Sequence, residues 1–256
     1  MEVRFDDKVA LVTGASRGIG LAIAAEFLAS GAAGVVITGR KPEGLDEAAA
    51  ELGKPERVLP LRGNADDPDH PAGAVAEAVA RFGRLDILVN NAGTNPAAGM
   101  LADVDLGAVD KTWAVNQRGP LLFARAAWQG WMRRHGGAII NVASVAGLQP
   151  APFLGAYNVS KAALIHMTRQ LAMEMAPDVR VNAVAPGIVK TRLSRALWDG
   201  RESTAGSGHP LRRIGEPADV AGVVAFLASD RASWITGVVV PVDGGLLGAT
   251  PAPGFA

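Results

Sequence analysis

The strongest constraint on this chain is a rhythm: short, almost continuously apolar runs recur along it, separated by longer stretches. The runs are "KVALVTG" (8–14), "GVVITGR" (34–40), "RVLPLRG" (57–63), "LDILVNNAG" (85–93), "GAIINVAS" (137–144), "VRVNAVAPG" (179–187) and "VVVPVDGG" (238–245). Helical patterns fill most of the gaps, at about 18–30, 70–82, 104–134, 156–176 and 216–228. Strands that are apolar at consecutive positions are covered on both faces, as in a parallel sheet between two helical layers. Helices between successive strands supply the right-handed crossovers that parallel pairing needs. The expected fold is therefore α/β: a Rossmann-type, doubly wound parallel sheet of about seven strands with helices on both faces. No linker, repeat or low-complexity block interrupts it, so residues 1–256 are read as one domain. The least regular segment, 191–215, follows the sixth run and is expected to be a substrate lid.

Composition narrows the class. Lys plus Arg and Asp plus Glu number 25 each, giving a formal net charge of zero. With no basic block, neither nucleic acid nor an anionic membrane is expected as a partner. The chain has no cysteine, which excludes disulfides, thiolate metal sites and thiol catalysis. His70, His135, His166 and His209 are scattered without ligand spacing, so no metal site is expected. "MEVRFDDK" at the start is not a signal sequence, and no run of 18 uninterrupted apolar residues occurs, so a cytoplasmic enzyme is expected.

Two stretches carry chemistry. Between the first strand and its helix lies "TGASRGIG" (13–20), whose Gly14, Gly18 and Gly20 allow a tight turn that brings a helix N-terminus against a phosphate. Alone, such a loop serves packing equally well. The second stretch, "AYNVSKAAL" (156–164), holds the only tyrosine, Tyr157, and four positions on Lys161. On a helix the two share one face. A phenol ordinarily loses its proton near about pH 10, and a neighbouring ammonium is expected to draw it down toward neutrality, making Tyr157 a usable acid–base group.

Together "TGASRGIG", "NNAG" (90–93), Ser144, "YNVSK" (157–161) and "PGIVKT" (186–191) resemble the short-chain dehydrogenases/reductases, in family order over nearly the whole chain. The resemblance implies a catalytic tetrad of Asn116, Ser144, Tyr157 and Lys161. Tyr157 would exchange a proton with the carbonyl oxygen that Ser144 holds. Lys161 would also bond the nicotinamide ribose, and Asn116 would hold a water in a proton relay to it. It further implies cofactor contacts from Gly14, Ser16, Arg17, Gly18, Ile19 and Gly20 in the loop, and from Asn64, Asn91, Ala92 and Gly93 on the adenosine side. Pro186, Gly187, Ile188 and Thr191 would lie near the carboxamide. The position after the second strand, where an acid would hold the ribose 2′-hydroxyl of NAD, is Gly39, and Arg40 follows it. Arg17 and Arg40 with no acid suit a 2′-phosphate, so NADP(H) is the expected cofactor, as in the NADP-preferring branch.

From "PGIVKTRLSRALW" onward the chain is most similar to carbonyl reductases of the dicarbonyl and retinal-reducing type. The expected reaction is therefore reversible reduction of a small ketone or aldehyde. Eukaryotic members of that group end in a peroxisomal tripeptide, whereas this chain ends "GFA". A 3-oxoacyl-[acyl-carrier-protein] reductase is the alternative. Such enzymes carry arginines where this chain has Gln129 and Met173, although Arg125 and Arg169 stand one turn upstream. A nucleotide-binding sensor without turnover fits less well, because the tetrad is complete. The resemblance also implies a homotetramer, paired through the helix bearing Met167, Met173 and Met175 and the preceding one bearing Trp113, Trp128 and Trp131.

Overall fold

The computed structural model describes residues 3–248; the first two residues of "MEVRFDDK" and the terminal "GFA" lie outside them. In chain order come β1 (Val9–Val12), α1 (Gly18–Ala29), β2 (Gly34–Gly39), α2 (Pro42–Leu52), β3 (Val58–Arg62), α3 (His70–Phe82) and β4 (Ile87–Asn90). A long helical rod follows: α4 (Leu106–Trp113), a π-helical turn Ala114–Arg118, α5 (Gly119–Ala127), a second π turn Trp128–Met132, and α6 (Arg133–His135). The chain continues through β5 (Gly137–Val142), α7 (Gly155–Glu174), β6 (Val179–Pro186), α8 (Arg195–Trp198), α9 (Glu202–Ser207), α10 (Pro217–Ala228) and β7 (Val239–Val242).

All seven strands form one sheet in the order β3-β2-β1-β4-β5-β6-β7. Every pairing is parallel, with registers such as Leu11↔Val36 and Asn90↔Asn141. The period of two along each strand sorts its side chains into two cores. Ala10, Val12, Val35, Ile37, Val89 and Ile140 meet Ile23, Phe27, Val220 and Val224 of α1 and α10 on one face. Leu11, Val36, Leu88, Ile139 and Val181 meet Val75, Phe123, Ala127 and Leu171 of α3, α5 and α7 on the other. The continuous apolar runs are explained by this double coverage.

The rod read as one helix over 104–134 is broken twice by π turns. One cause of the first is visible in "NQRGP": residue 120 is proline, so the Asn116 carbonyl loses the N–H that an α-helix would offer it. Inserted π turns often mark functional sites, and this one contains Asn116. Among the described residues no helix is long and apolar enough to cross a membrane.

Candidate active site

The strand order turns back on itself between β1 and β4: the chain runs outward from β1 to β3, then returns to lay β4 beside β1. At such a switch point the loops beyond the strands' carboxyl ends part and leave a crevice. Here the crevice is a cleft of about 710 Å³. Its walls include Gly14, Ser16, Arg17, Gly18, Ile19 and Gly20 of the glycine loop, Arg40 beyond β2, Asn91, Ala92 and Gly93 beyond β4, and Ser144, Tyr157, Lys161, Pro186, Gly187 and Thr191. A smaller polar cavity of about 300 Å³ lies among Arg4, Arg84, Asp86 and Arg180, at the opposite ends of the strands. It touches none of the sequence-predicted residues.

The glycine loop is held by the strand beside it. Gly14 has φ +63°, and a Cβ there would lie 2.8 Å from the Ala92 Cα. A larger residue would be strained and would collide with the neighbouring loop. Asn91 Nδ2 donates to the carbonyls of Thr13 (2.8 Å) and Gly14 (3.1 Å), and the Thr13 hydroxyl accepts from the backbone N–H groups of Asn91 and Ala92, both at 3.0 Å. The first two letters of "NNAG" thus divide their work. Asn91 ties down the glycine loop, while buried Asn90 donates to Asn141 Oδ1 (2.9 Å) and to the Pro120 carbonyl (3.3 Å). α1 then begins at Gly18 with neither a side-chain cap nor an acid in its first turn, so its first N–H groups and positive dipole end are offered to an anion.

The Tyr157–Lys161 side of the cleft is a buried polar knot. Asn116 is fully buried; its Oδ1 accepts from Thr94 N (2.8 Å), and its Nδ2 donates to the Thr94 carbonyl (2.9 Å) and to Ser160 Oγ (3.1 Å). Ser160 Oγ in turn donates to the Tyr157 carbonyl (2.8 Å). The π turn is therefore fastened to the first turns of α7. Lys161, only 3% exposed, donates from Nζ to the Val142 carbonyl at 2.8 Å, and Nζ stands 5.7 Å from the centre of the Tyr157 ring. Ser144, at the end of β5, accepts from Ala146 N at 3.1 Å.

Electrostatics here depart from the sequence expectation. Burial pushes the Tyr157 phenol above its ordinary value of 10.0, and the hydrogen bond with Ser144 only partly opposes it. Lys161 does not draw the phenol down. Burial instead pushes Lys161 itself from 10.5 to about 8, because an ammonium loses more on leaving water than one carbonyl returns. At neutral pH Tyr157 is a protonated phenol, a proton donor in waiting.

Two predicted residues are near the cleft without lining it. Asn64 is exposed between Gly63 and Ala65, which do line it. The Ile188 carbonyl accepts from Gly215 N (2.8 Å) in the short ladder that also joins Lys190 N to the Gly215 carbonyl. Asn116 lies beneath the surface rather than on it. Sequence reading missed Thr94, Ser160, Lys41, Lys111 and Arg192. Of these, Thr94 abuts "NNAG", Ser160 lies inside "YNVSK", and Lys41 abuts Arg40. Nothing in the spacing marked Lys111, whose ammonium pairs with Asp66 at 2.5 Å where Gly63 and Ala65 also line the cleft. The segment 191–215 contains α8 and α9, and Arg192, Leu193 and Ser194 line the cleft. Among the described residues no group of three or more His, Asp or Glu is placed to hold a metal ion.

Comparison with known proteins agrees with this fold. The profile of a family described as enoyl-(acyl carrier protein) reductase matches residues 14–247. The chain is 44% identical over 246 residues to dehydrogenase/reductase SDR family member 4 of Homo sapiens, covering 93% of this chain and 87% of that protein. The protein of the same name from Caenorhabditis elegans is 40% identical over 251 residues, covering 95% and 96%. Among solved structures, a short-chain dehydrogenase/reductase from Brucella melitensis, described as a glucose/ribitol dehydrogenase, superposes with a TM-score of 0.90. It is 36% identical, with 96% of this chain and 99% of that one covered. A short-chain type dehydrogenase/reductase from Mycobacterium ulcerans also gives 0.90, at 35% identity over 95% and 91%.

Proposed function

The chain belongs to the short-chain dehydrogenases/reductases, oxidoreductases that use a nicotinamide cofactor, and we propose that this member uses NADPH to reduce a ketone or aldehyde to an alcohol. The observation that carries the reading is the convergence of Ser144, Tyr157 and Lys161 on a cleft whose other end bears unpaired cations. Among the described residues Arg17, Arg40 and Lys41 make no side-chain hydrogen bond or ion pair, and all three line the cleft. Their guanidinium and ammonium groups fit a ribose 2′-phosphate. Glu43 and Glu47 of α2 share that wall and temper the field without occupying the position after β2, which is Gly39.

NADPH, when bound, supplies hydride to the carbonyl carbon. The protein's own work is to place the carbonyl and move a proton. Ser144 donates a hydrogen bond to the carbonyl oxygen, and Tyr157 delivers its phenolic proton to the same oxygen as negative charge develops there. Lys161, rigid under Val142, orients the cofactor ribose and returns a proton to the phenolate. The Asn116 carbonyl, deprived of its helical donor by Pro120, is the acceptor that would hold a relay water beside Lys161. Oxidation would run the same steps backward, with the Tyr157 phenolate taking the alcohol proton.

We read the assembly as a homotetramer. Exposed Leu121 on α5, and Val159 and Met173 on α7, are the apolar surface that a second copy would cover. The carrier-protein reading draws on the matched profile's description and on exposed Arg125 and Arg169, which could steer an acidic carrier.

The test compares NADPH with NADH on a panel of diketones, aromatic ketones and 3-oxoacyl groups, free and carrier-bound. NADPH should be strongly preferred, and Arg40→Asp should weaken it by about 2–3 kcal/mol. Equal use of both cofactors by the wild type would overturn the cofactor reading. A hundredfold advantage for the carrier-bound chain, collapsing with added salt, would replace the free-carbonyl reading with the alternative.

A further inference from the structure

The segment between β6 and α10 carries five arginines, and four of them are engaged. Arg195 pairs with Asp199 (2.8 Å) and Arg213 with Asp219 (2.6 Å), while Arg201 donates to the Ala196 carbonyl (2.8 Å) and Arg212 to that of Ser207 (3.2 Å). Arg192 differs: its side chain lines the cleft, and among the described residues its guanidinium has no partner. Its backbone is not loose. Ser194 Oγ shares a hydrogen bond with Thr191 Oγ1 (2.9 Å), donates to the Val189 carbonyl and accepts from Trp198 Nε1 (3.2 Å), knotting the turn that presents Arg192. The residue before it faces the phosphate loop: a Cβ on Gly18 would lie 3.4 Å from Thr191 Cγ2. Thus the wall opposite the glycine loop holds a fixed turn, and its cation lines the same cleft as the open first turn of α1.

We propose that Arg192 binds the diphosphate bridge of the nicotinamide cofactor from the lid side, so that the bridge is held between the first turn of α1 and this guanidinium. The inference rests on the cofactor reading above. The chemistry is direct: each phosphate of the bridge carries a negative charge, the α1 N–H groups satisfy one side of it, and a planar guanidinium offers paired donors to the other. The division of labour follows from position. Arg17, Arg40 and Lys41 stand at the 2′-phosphate end, which only NADPH fills, whereas the bridge is common to NADPH and NADH. Arg192 is therefore a general cofactor anchor that does not discriminate between the two.

The experiment measures dissociation constants of NADPH, NADH and adenosine 2′-monophosphate for wild type, Arg192→Gln and Arg192→Lys at low salt, with circular dichroism confirming that each variant is folded. Arg192→Gln should weaken NADPH and NADH by the same factor, about tenfold. It should leave adenosine 2′-monophosphate, which has no bridge, unchanged, and Arg192→Lys should fall between. Unchanged NADPH affinity in Arg192→Gln would overturn the proposal. So would equal weakening of adenosine 2′-monophosphate, which would mean a diffuse field, or a loss confined to the KM of a 2-oxo acid, which would assign Arg192 to a substrate carboxylate. If wild-type protein bound neither dinucleotide, the underlying cofactor reading would fail, and the wild-type measurement alone would show it.

Discussion

The two walls of the cleft treat their polar groups in opposite ways. On the catalytic wall Asn116, Ser160 and Lys161 are nearly or fully buried, and each has its partners within the protein. On the proposed nucleotide and lid walls Arg17, Arg40, Lys41 and Arg192 are exposed and, among the described residues, unpartnered. The difference follows from what each wall must do. Groups that move a proton need fixed geometry and a low-dielectric setting, which burial and mutual hydrogen bonding supply. Groups that capture a charged ligand must keep their donors free until it arrives, and water keeps them soluble meanwhile. A buried pair on the recognition side would compete with the ligand for its own cations.

The largest expected effect strikes the catalytic wall. Tyr157→Phe keeps the ring and removes the transferable proton, so kcat should fall by about 10²–10⁴-fold while NADPH affinity and Tm stay near wild type. A variant retaining a tenth or more of the activity would show that another group supplies the proton.

A smaller effect concerns stability and marks the cost of burial on the same wall. Lys161 has a folded-state value of about 8 against an ordinary 10.5. The unfolded chain therefore binds more protons between those values, and stability must rise with pH there. The cofactor-free wild type should gain about 2 kcal/mol relative to Lys161→Met between pH 7 and pH 9.5. Parallel stability curves for the two proteins, measured by urea unfolding, would mean that Lys161 is more solvated than the structure implies.

The smallest effect belongs to the surface of the proposed lid. Lys190 pairs with Glu202 of α9 and with Glu216 at the start of α10, each at 2.6 Å, and both carboxylates are about half exposed. Pairs so solvated contribute little. Glu202→Gln should change the KM for substrate by no more than about fivefold and leave NADPH affinity unaltered. A larger change would blur the contrast between the walls by giving an exposed pair real control of the lid.

Much of this was legible in the residues. The consecutive apolar runs announced strands covered on both faces, because two-sided burial leaves no polar alternation. The glycine loop, "NNAG", Ser144 and the Tyr157–Lys161 spacing pointed to one cleft, since each lies just beyond a strand or at the start of a helix that the same rhythm located. The π turn at Asn116 was readable only in part. Pro120 signals a lost hydrogen bond, but not that Thr94 and Ser160 would gather the asparagine side chain. The expected lowering of the Tyr157 pKa failed for a comparable reason: one helical turn brings Lys161 near, but how much water surrounds either group depends on β5, the β4 loop and the π turn together.

By itself, then, the sequence determined the order of elements, the sheet's class and the chemical kinds of group available, because these follow from local periodicity and from side-chain identity. Only the tertiary structure decided which polar groups are used up and which remain free. Arg192 and Arg195 are the same residue three positions apart, yet Arg195 is paired with Asp199 while Arg192 lines the cleft without a partner among the described residues. Tyr157 is a phenol in either description, but its proton is held by desolvation, and desolvation is a property of everything packed around it, drawn from strands and helices far apart along the chain.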